Sequence, residues 1–314
     1  MYFANSSKTS LLLMSVLFLL PIVPAVAQIP GTVDALWADP TPRVANLTLD
    51  PSFEFNRAAH VANGVALRNA TQGWIHLRGV PVGPRVLRAF LYWNLGDNSA
   101  VGKATWRAAF NGFAVVGQKV ADSADACWGN SGNHTYRADV TRFIPNRRPN
   151  GIYEVVVEFD SRTRTSGQNP WSPFESQDVR LNGATLFVVY QAAGTVLIYD
   201  SLSGSMFSGA GTFTFDHPGL MGMRGLFTMT GADGQRGGGH DNGASNETTF
   251  FAASGQIAGP PIAASDWDGS AGWPLVQLWD VHTHHVLLDA SSSTVVYTAG
   301  VDCLVPVAFA LEVF

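Results

Sequence analysis

The side chains best suited to chemistry gather in the C-terminal third. His282, His284 and His285 follow Asp280 in LWDVHTHHVL. On a strand, His282 and His284 share a face, a spacing at which two imidazoles can reach one transition-metal ion. No third ligand of the right type stands beside them, so a surface histidine cluster is the simpler reading. Asp266 and Asp268 flank Trp267 just before Gly269, and Asp97 and Asp233 each close an apolar run ahead of a loop. Calcium takes about six to eight oxygens from carboxylates and loop carbonyls. These four aspartates are therefore the candidate ligands of a structural calcium, set against plain turn chemistry, which also favours Asp and Gly. None follows the EF-hand spacing.

Signatures of catalysis are missing. The chain has no GxSxG elbow, no HExxH and no P-loop. GADGQRGGGHDNG (231–243) follows a strand-like run and leads into no helical pattern, so it reads as a loop rather than a phosphate cradle. Glutamates are scattered at Glu54, Glu154, Glu158, Glu175, Glu247 and Glu312, and no pair is nominated for the two carboxylates of a glycosidase. Aromatics offer another chemistry, stacking against sugar rings. Trp128, Trp171, Trp267 and Trp273 lie in Gly-, Ser- and Pro-rich stretches and are the candidate ligand-binding residues. Trp74, Trp93 and Trp106 lie in strand-like runs, where core packing is the expectation.

The chain that must position these groups opens on a targeting pattern. Lys8 precedes the apolar run LLLMSVLFLLPIVPAV, and Ala25-Val26-Ala27 forms a small-x-small cleavage site before Gln28. Residues 1–27 read as a cleaved signal peptide, and the remainder as an exported, extracellular, cell-surface or periplasmic protein. No later apolar stretch has spanning length. Lys and Arg total 19 against 24 Asp and Glu, a balance that argues against a nucleic-acid or anionic-membrane partner. Export permits a disulfide between Cys127 and Cys303. Closing so long a loop adds ~5 kcal/mol on the chain-entropy view. Two buried thiols are the alternative. Four N-x-Ser/Thr sequons begin at Asn46, Asn69, Asn133 and Asn246.

The texture is β throughout: short runs rich in Val, Phe, Thr, Tyr and Trp are punctuated by Gly and Pro, and no helical period persists. GWIHLRG (73–79), VLRAFLYW (86–93), FAVVGQKV (113–120) and YEVVVEF (153–159) predict strands. ATLFVVYQ (184–191) and TVLIYD (195–200) predict a hairpin turning at Ala193-Gly194. The order recurs later with TFTF, RGLFTMT, ETTFFAA, LVQLWDV, TVVYTA and CLVPVAFALEV. The halves also share a phrase, TYRADVTRFIP (135–145) and VQLWDVHTHHVL (276–287). A strand ending in Asp turns because the carboxylate accepts a backbone N–H two or three residues on. Asp139 and Asp280 are thus expected as turn caps at matching corners. In the first, Val140, Phe143 and Ile144 return to the core in one helical turn that Pro145 stops.

The order FNGFAVVG, loop, YRADVTRFIPNRRPNGIYEVVVEF resembles the galactose-binding-like jelly rolls. The combination of AFLYWNLGDN, FNG, ACWGN, YRADVT, ATLFVVY, VLIYD and DCLVPVAFALEV resembles an uncharacterised family of secreted, β-rich bacterial proteins, a domain of unknown function. That resemblance implies an extracytoplasmic location and brings no known active site. The expectation is an all-β protein of two tandem jelly-roll-like β-sandwiches, residues 28–200 and 201–314, arising by internal duplication. Its expected role is non-catalytic binding or structural work outside the cell, with a glycan or a cell-surface protein as partner. A hydrolase using Asp97, Asp233, Asp266 and Asp268 is the alternative, and a filament or matrix subunit is a third.

Overall fold

The computed structural model describes residues 45–67, 70–97, 106–124, 130–157, 179–201, 207–217, 223–235, 248–253, 263–264, 267, 269, 271, 277–288 and 291–314. Among them run sixteen strands: β1 (Ala45–Leu49), β2 (Phe53–Ala66), β3 (Gln72–Leu77), β4 (Val86–Asp97), β5 (Arg107–Phe110), β6 (Phe113–Val116), β7 (Gln118–Ser123), β8 (Gly132–Asp139), β9 (Gly151–Val157), β10 (Val179–Asp200), β11 (Phe207–Asp216), β12 (Arg224–Gln235), β13 (Thr248–Ala253), β14 (Ala263–Ala264), β15 (Gln277–Leu287) and β16 (Ser292–Val313). The fold is all-β and sandwich-like. Its one helical element among the described residues is the 3-10 turn Thr141–Phe143.

Two facing layers build the first half. A four-stranded antiparallel sheet runs β3-β9-β5-β6, and β7-β8-β4-β10 lies opposite, with β2 on the other side of β10. Alternation decides which side chains meet between them. Ala89, Leu91, Trp93 and Leu95 of β4 join Ile75, Leu77, Phe110, Tyr153 and Val155 in one core. Phe90 and Tyr92 point the other way, into a second core shared with Trp279, Val305 and Val307. Strand β4 is therefore buried on both faces, which is why VLRAFLYWNL reads as an almost unbroken apolar run.

The second half repeats the layering. β1-β11-β16-β13-β14 faces the sheet in which β16 pairs with β12 and β12 with β15. Between them Phe213, Phe215, Phe227, Trp267, Tyr297 and Phe309 form an aromatic core. Strand β16 serves both layers: Ser292–Thr298 pairs with β11 and β13, and Val305–Val313 with β12.

The expected hairpin at Ala193-Gly194 is absent. Residues 184–191 and 195–200 do not form a hairpin but one continuous strand, β10, with a register shift between Gln191 and Thr195. The strand runs on because β2 pairs with it on both sides of the shift, at Gly183–Gln191 and at Thr195–Ile198, and a Cβ on Gly194 would lie 2.6 Å from the Val313 carbonyl oxygen. The facing strand β2 absorbs the irregularity at Arg57, whose φ is 55°. Likewise TVVYTA and CLVPVAFALEV are one strand, β16. FAVVGQKV, by contrast, breaks into β6 and β7 at Gly117, where a Cβ would strike the Trp93 ring at 2.4 Å.

The halves interlock around the expected division at 200/201. The last residues of β10, Thr195–Asp200, pair with β16, and β1 pairs in parallel with β11. Trp279 of β15 lies over Gly183 of β10 and Gly64 of β2, where a Cβ would come within 2.3 and 2.7 Å. Its Nε1 donates to Thr185 Oγ1 at 2.9 Å. Arg137 of β8 donates to Asp200 Oδ2 and stacks over Phe53 at 4.5 Å, while Tyr92 Oη donates to Asp200 Oδ1 at 2.7 Å.

Candidate functional site

The outward side of the four-stranded sheet concentrates exposed apolar surface. In β3, Gly73, Ile75 and Leu77 point inward, so Gln72, Trp74 and His76 point to solvent. Trp74 is 51% exposed. Register sets Glu154 of β9 directly beside Trp74, Ile152 beside His76 and Val156 beside Gln72. Ile152 and, across the sheet on β6, Val116 are exposed as well. Gln72 Nε2 donates to Glu154 Oε1, bridging the two strands next to the indole. Asn111 fixes the other side of Glu154: its N–H donates to the Glu154 carbonyl at 2.9 Å, and its Oδ1 accepts the Glu154 N–H at 2.8 Å. Asn111 and Gly112 both have positive φ (49° and 77°), the two-residue hairpin that Asn-Gly favours. The FNGF sequence thus holds the centre of this face rigid.

A second locus lies at the end of β4, β7 and β8. His134 sits between two carboxylates, with Nε2 3.0 Å from Asp97 Oδ1 and Nδ1 2.7 Å from Asp122 Oδ1. Lys119 Nζ donates to Asp122 Oδ2 at 2.7 Å. Asp97, Asp122 and His134 border an open pocket of about 330 Å³ with Ser123, Ala124, Ser131 and Gly132. The hydrogen bond with Asp97 raises the His134 pKa above its ordinary 6.5, against the opposing effect of burial. Burial works against ionisation of Asp122, yet the Lys119 hydrogen bond and the His134 charge hold its pKa below normal. The carboxylates flank opposite edges of the ring and do not converge. No group of three or more His, Cys, Asp or Glu among the described residues is placed to hold a metal ion.

The expected site residues disperse. Trp267 is not a loop platform but fully buried, against Tyr297 at 5.5 Å and over Gly231. Trp128, Trp171 and Trp273 lie outside the described residues, as do Asp266, Asp268 and Cys127. Asp233 falls within β12 and Cys303 within β16, opposite Ser208. Asp97, expected as a calcium ligand, is committed to His134. Of the strand tryptophans expected in the core, only Trp93 is buried; Trp106, 42% exposed, and Trp74 are not. The signal was present in QGWIHL: the residues that alternate with Trp74 are Gly, Ile and Leu, while those sharing its face are Gln and His.

The two aspartates of the repeated phrase occupy different positions. Asp139 ends β8, and its Oδ1 accepts the Thr141 N–H at 2.9 Å. Thr141 Oγ1 in turn accepts the Ala89 N–H at 2.9 Å, and Val140 and Ile144 are buried. Asp280 is not at a corner; it lies buried within β15, paired with Gly231. The strand continues because His282 and His284 pair onward with Met229 and Phe227. Tyr136 and Ala138 face the first sandwich core, so Asp139 points away from it. Val286 faces the second core, so Asp280, His282 and His284 lie on that inner side. His282 Nε2 is 3.2 Å from Asp280 Oδ1, and the His282 and His284 rings stack at 6.1 Å. Among the sequons, Asn133 is only 2% exposed, which closes it to glycosylation in the folded chain.

Together these features define an all-β, sandwich-like protein with Trp74 exposed on an outer sheet face and a carboxylate–imidazole pocket elsewhere. A scan against protein-family models finds none that matches the chain, and a search of curated proteins finds no match. Among the described residues no helix is long and apolar enough to cross a membrane.

Proposed function

We propose that this chain is an exported, non-catalytic binding protein that recognises glycans outside the cell through the outward face of β3-β9-β5-β6. The observation that carries the reading is Trp74: a half-exposed indole on a rigid strand, with Gln72 and Glu154 beside it and Ile152 on the same face. Isolated exposed apolar residues are ordinary, but here Trp74 and Ile152 share one face of adjacent strands with Gln72, His76 and Glu154 beside them, the setting of an interaction surface. The leader pattern ending in Ala25-Val26-Ala27 supports export. A glycan array probed with wild type and with Trp74→Ala tests the function. Binding that collapses in the variant is expected; no binding to any glycan would overturn it, and capture of a surface protein instead would replace the ligand class.

The jelly-roll and duplication readings belong to the same proposal. In the first half β3, β9, β5 and β6 pair in that order, and in the second β11, β16, β13 and β14 do. β8-β4-β10 is likewise matched by β15-β12-β16. This shared pairing order supports two copies of one unit, with β9 and β10 fused into β16 in the second. Superposition of the halves with these strands matched is the check, and strands that miss one another by more than about 4.8 Å, one strand spacing, would count against it.

A further inference from the structure

We infer that the ligand of the Trp74 face is a neutral pyranose chain, held by stacking on the indole and by hydroxyl donation to the Gln72–Glu154 pair. This rests on the glycan reading and names the class of glycan. The first argument concerns which hydrogen-bonding atoms remain. Gln72 Nε2 already donates to Glu154 Oε1. That contact leaves Gln72 Oε1 and Glu154 Oε2 as acceptors with no other partner among the described residues. An acceptor-rich edge beside an aromatic plane matches a pyranose, which offers C–H groups on one face and hydroxyl donors around its rim.

Charge supplies the second argument. The group adjoining the indole is a carboxylate, and Arg107, a cation of this face, lies too far along the strand to neutralise it. Ala108 pairs with Val157, and Arg107 lies beyond that pair, so four residues separate its level from Glu154, roughly 13 Å at strand rise. The chain as a whole carries a formal charge of -5. A uronate or sulfated chain therefore meets like charge where its ring would stack, while a neutral chain meets the two free acceptors and the second Gln72 Nε2–H.

Rigidity supplies the third. Glu154 is held through its backbone by Asn111, and Trp74 is fixed opposite it by the β3–β9 ladder, so little ordering accompanies binding. Continuation of the apolar face to Ile152 suits a chain of sugars more than a single terminal unit.

Titration with neutral hexasaccharides (cellohexaose, laminarihexaose and mannohexaose) against hexagalacturonate, at low salt, tests the inference. At least one neutral chain is expected to bind, more than tenfold tighter than the galacturonate. Trp74→Ala is expected to weaken it at least tenfold, and Glu154→Gln severalfold, both without change in Tm because the side chains are exposed. Preferential binding of hexagalacturonate with Trp74→Ala still deleterious would overturn the neutral-chain assignment and leave the glycan reading intact. Glycan binding untouched by Trp74→Ala would overturn this site, and no binding of any glycan would overturn both.

Discussion

His60 and Glu312, separated by 252 positions, meet in the interior with Nδ1 2.9 Å from Oε2. The same carboxylate oxygen accepts the His60 backbone N–H at 2.9 Å, and His60 Nε2 lies 2.7 Å from Thr228 Oγ1. Thr228 continues to Thr283 at 2.7 Å. One polar chain thus links β2, β16, β12 and β15, elements drawn from both ends of the sequence. An acid, an imidazole and a hydroxyl in line suggest a catalytic relay, but Thr228 is fully buried, and a nucleophile must be reached. The arrangement is a cross-layer tie.

Breaking that tie on one side should cost more than removing it. His60→Leu removes the imidazole from the Glu312 carboxylate and leaves it only the backbone N–H of residue 60; it is expected to destabilise by about 1–3 kcal/mol, whereas His60→Leu/Glu312→Leu should recover part of the loss. Urea denaturation of the two singles and the double closes the cycle. Additive losses would show that the pair does not act as a unit.

The tryptophans give a contrast between burial and exposure. Trp267→Ala removes a side chain with no exposed surface from the second core and is expected to cost about 3–5 kcal/mol. Trp74→Ala should stay within about 0.5 kcal/mol of wild type. Thermal melts of the two variants check both, and a large loss in Trp74→Ala would mean that the indole is part of the packing.

Much of the architecture was legible because alternation and turn chemistry are local. QGWIHL, RAAFNGF and the TYRADVTRFI corner carry their own instructions, down to Asp139 and the returning Val140 and Ile144. What escaped depended on distant partners. Strand β2 went unnoticed because FEFNRAAHVANGVA has few β-branched residues; its stability comes from pairing with β10 along Phe53–Ala66. The expected hairpin at Gly194 failed because β2, from elsewhere in the chain, pairs with both segments and holds them in one strand. The likeness of Asp139 and Asp280 misled for a related reason: text identity ignores the side of the sheet, and β12 draws β15 onward through the second phrase. Trp267 looked available because its neighbours are Asp and Gly, yet the cavity over Gly231 takes it in.

Asp139 offers a direct test of turn capping. Asp139→Ala removes the acceptor for the Thr141 N–H and is expected to cost about 1 kcal/mol, while Asp139→Asn, which keeps an acceptor, should cost a few tenths. Chemical denaturation resolves the difference. Equal losses in the two variants would point to the carboxylate charge rather than its hydrogen bond.

The Asp97–His134–Asp122 cluster predicts a pH dependence with a definite sign. His134 lies between the two carboxylates, Nε2 against Asp97 and Nδ1 against Asp122, and only the protonated ring presents an N–H to both. Its folded pKa is raised above the ordinary 6.5, first by the Asp97 hydrogen bond and then by the Asp97 and Asp122 charges. The stability it contributes is therefore fully present below about pH 6.5 and is lost as pH rises through the elevated folded value. Asp122 behaves in the opposite sense: its folded pKa lies below the ordinary 3.8, so its contribution disappears only in acid. Between these limits the edge strand β7 is tied to β8 and β4 through His134. Tm measured from pH 5 to 9 should fall across the upper part of the range in wild type. His134→Gln, which cannot carry the charge, should be less stable at pH 5 and show a flatter profile. A wild-type Tm that rises through that upper range, or a variant with the same slope, would exclude His134 as the titrating group.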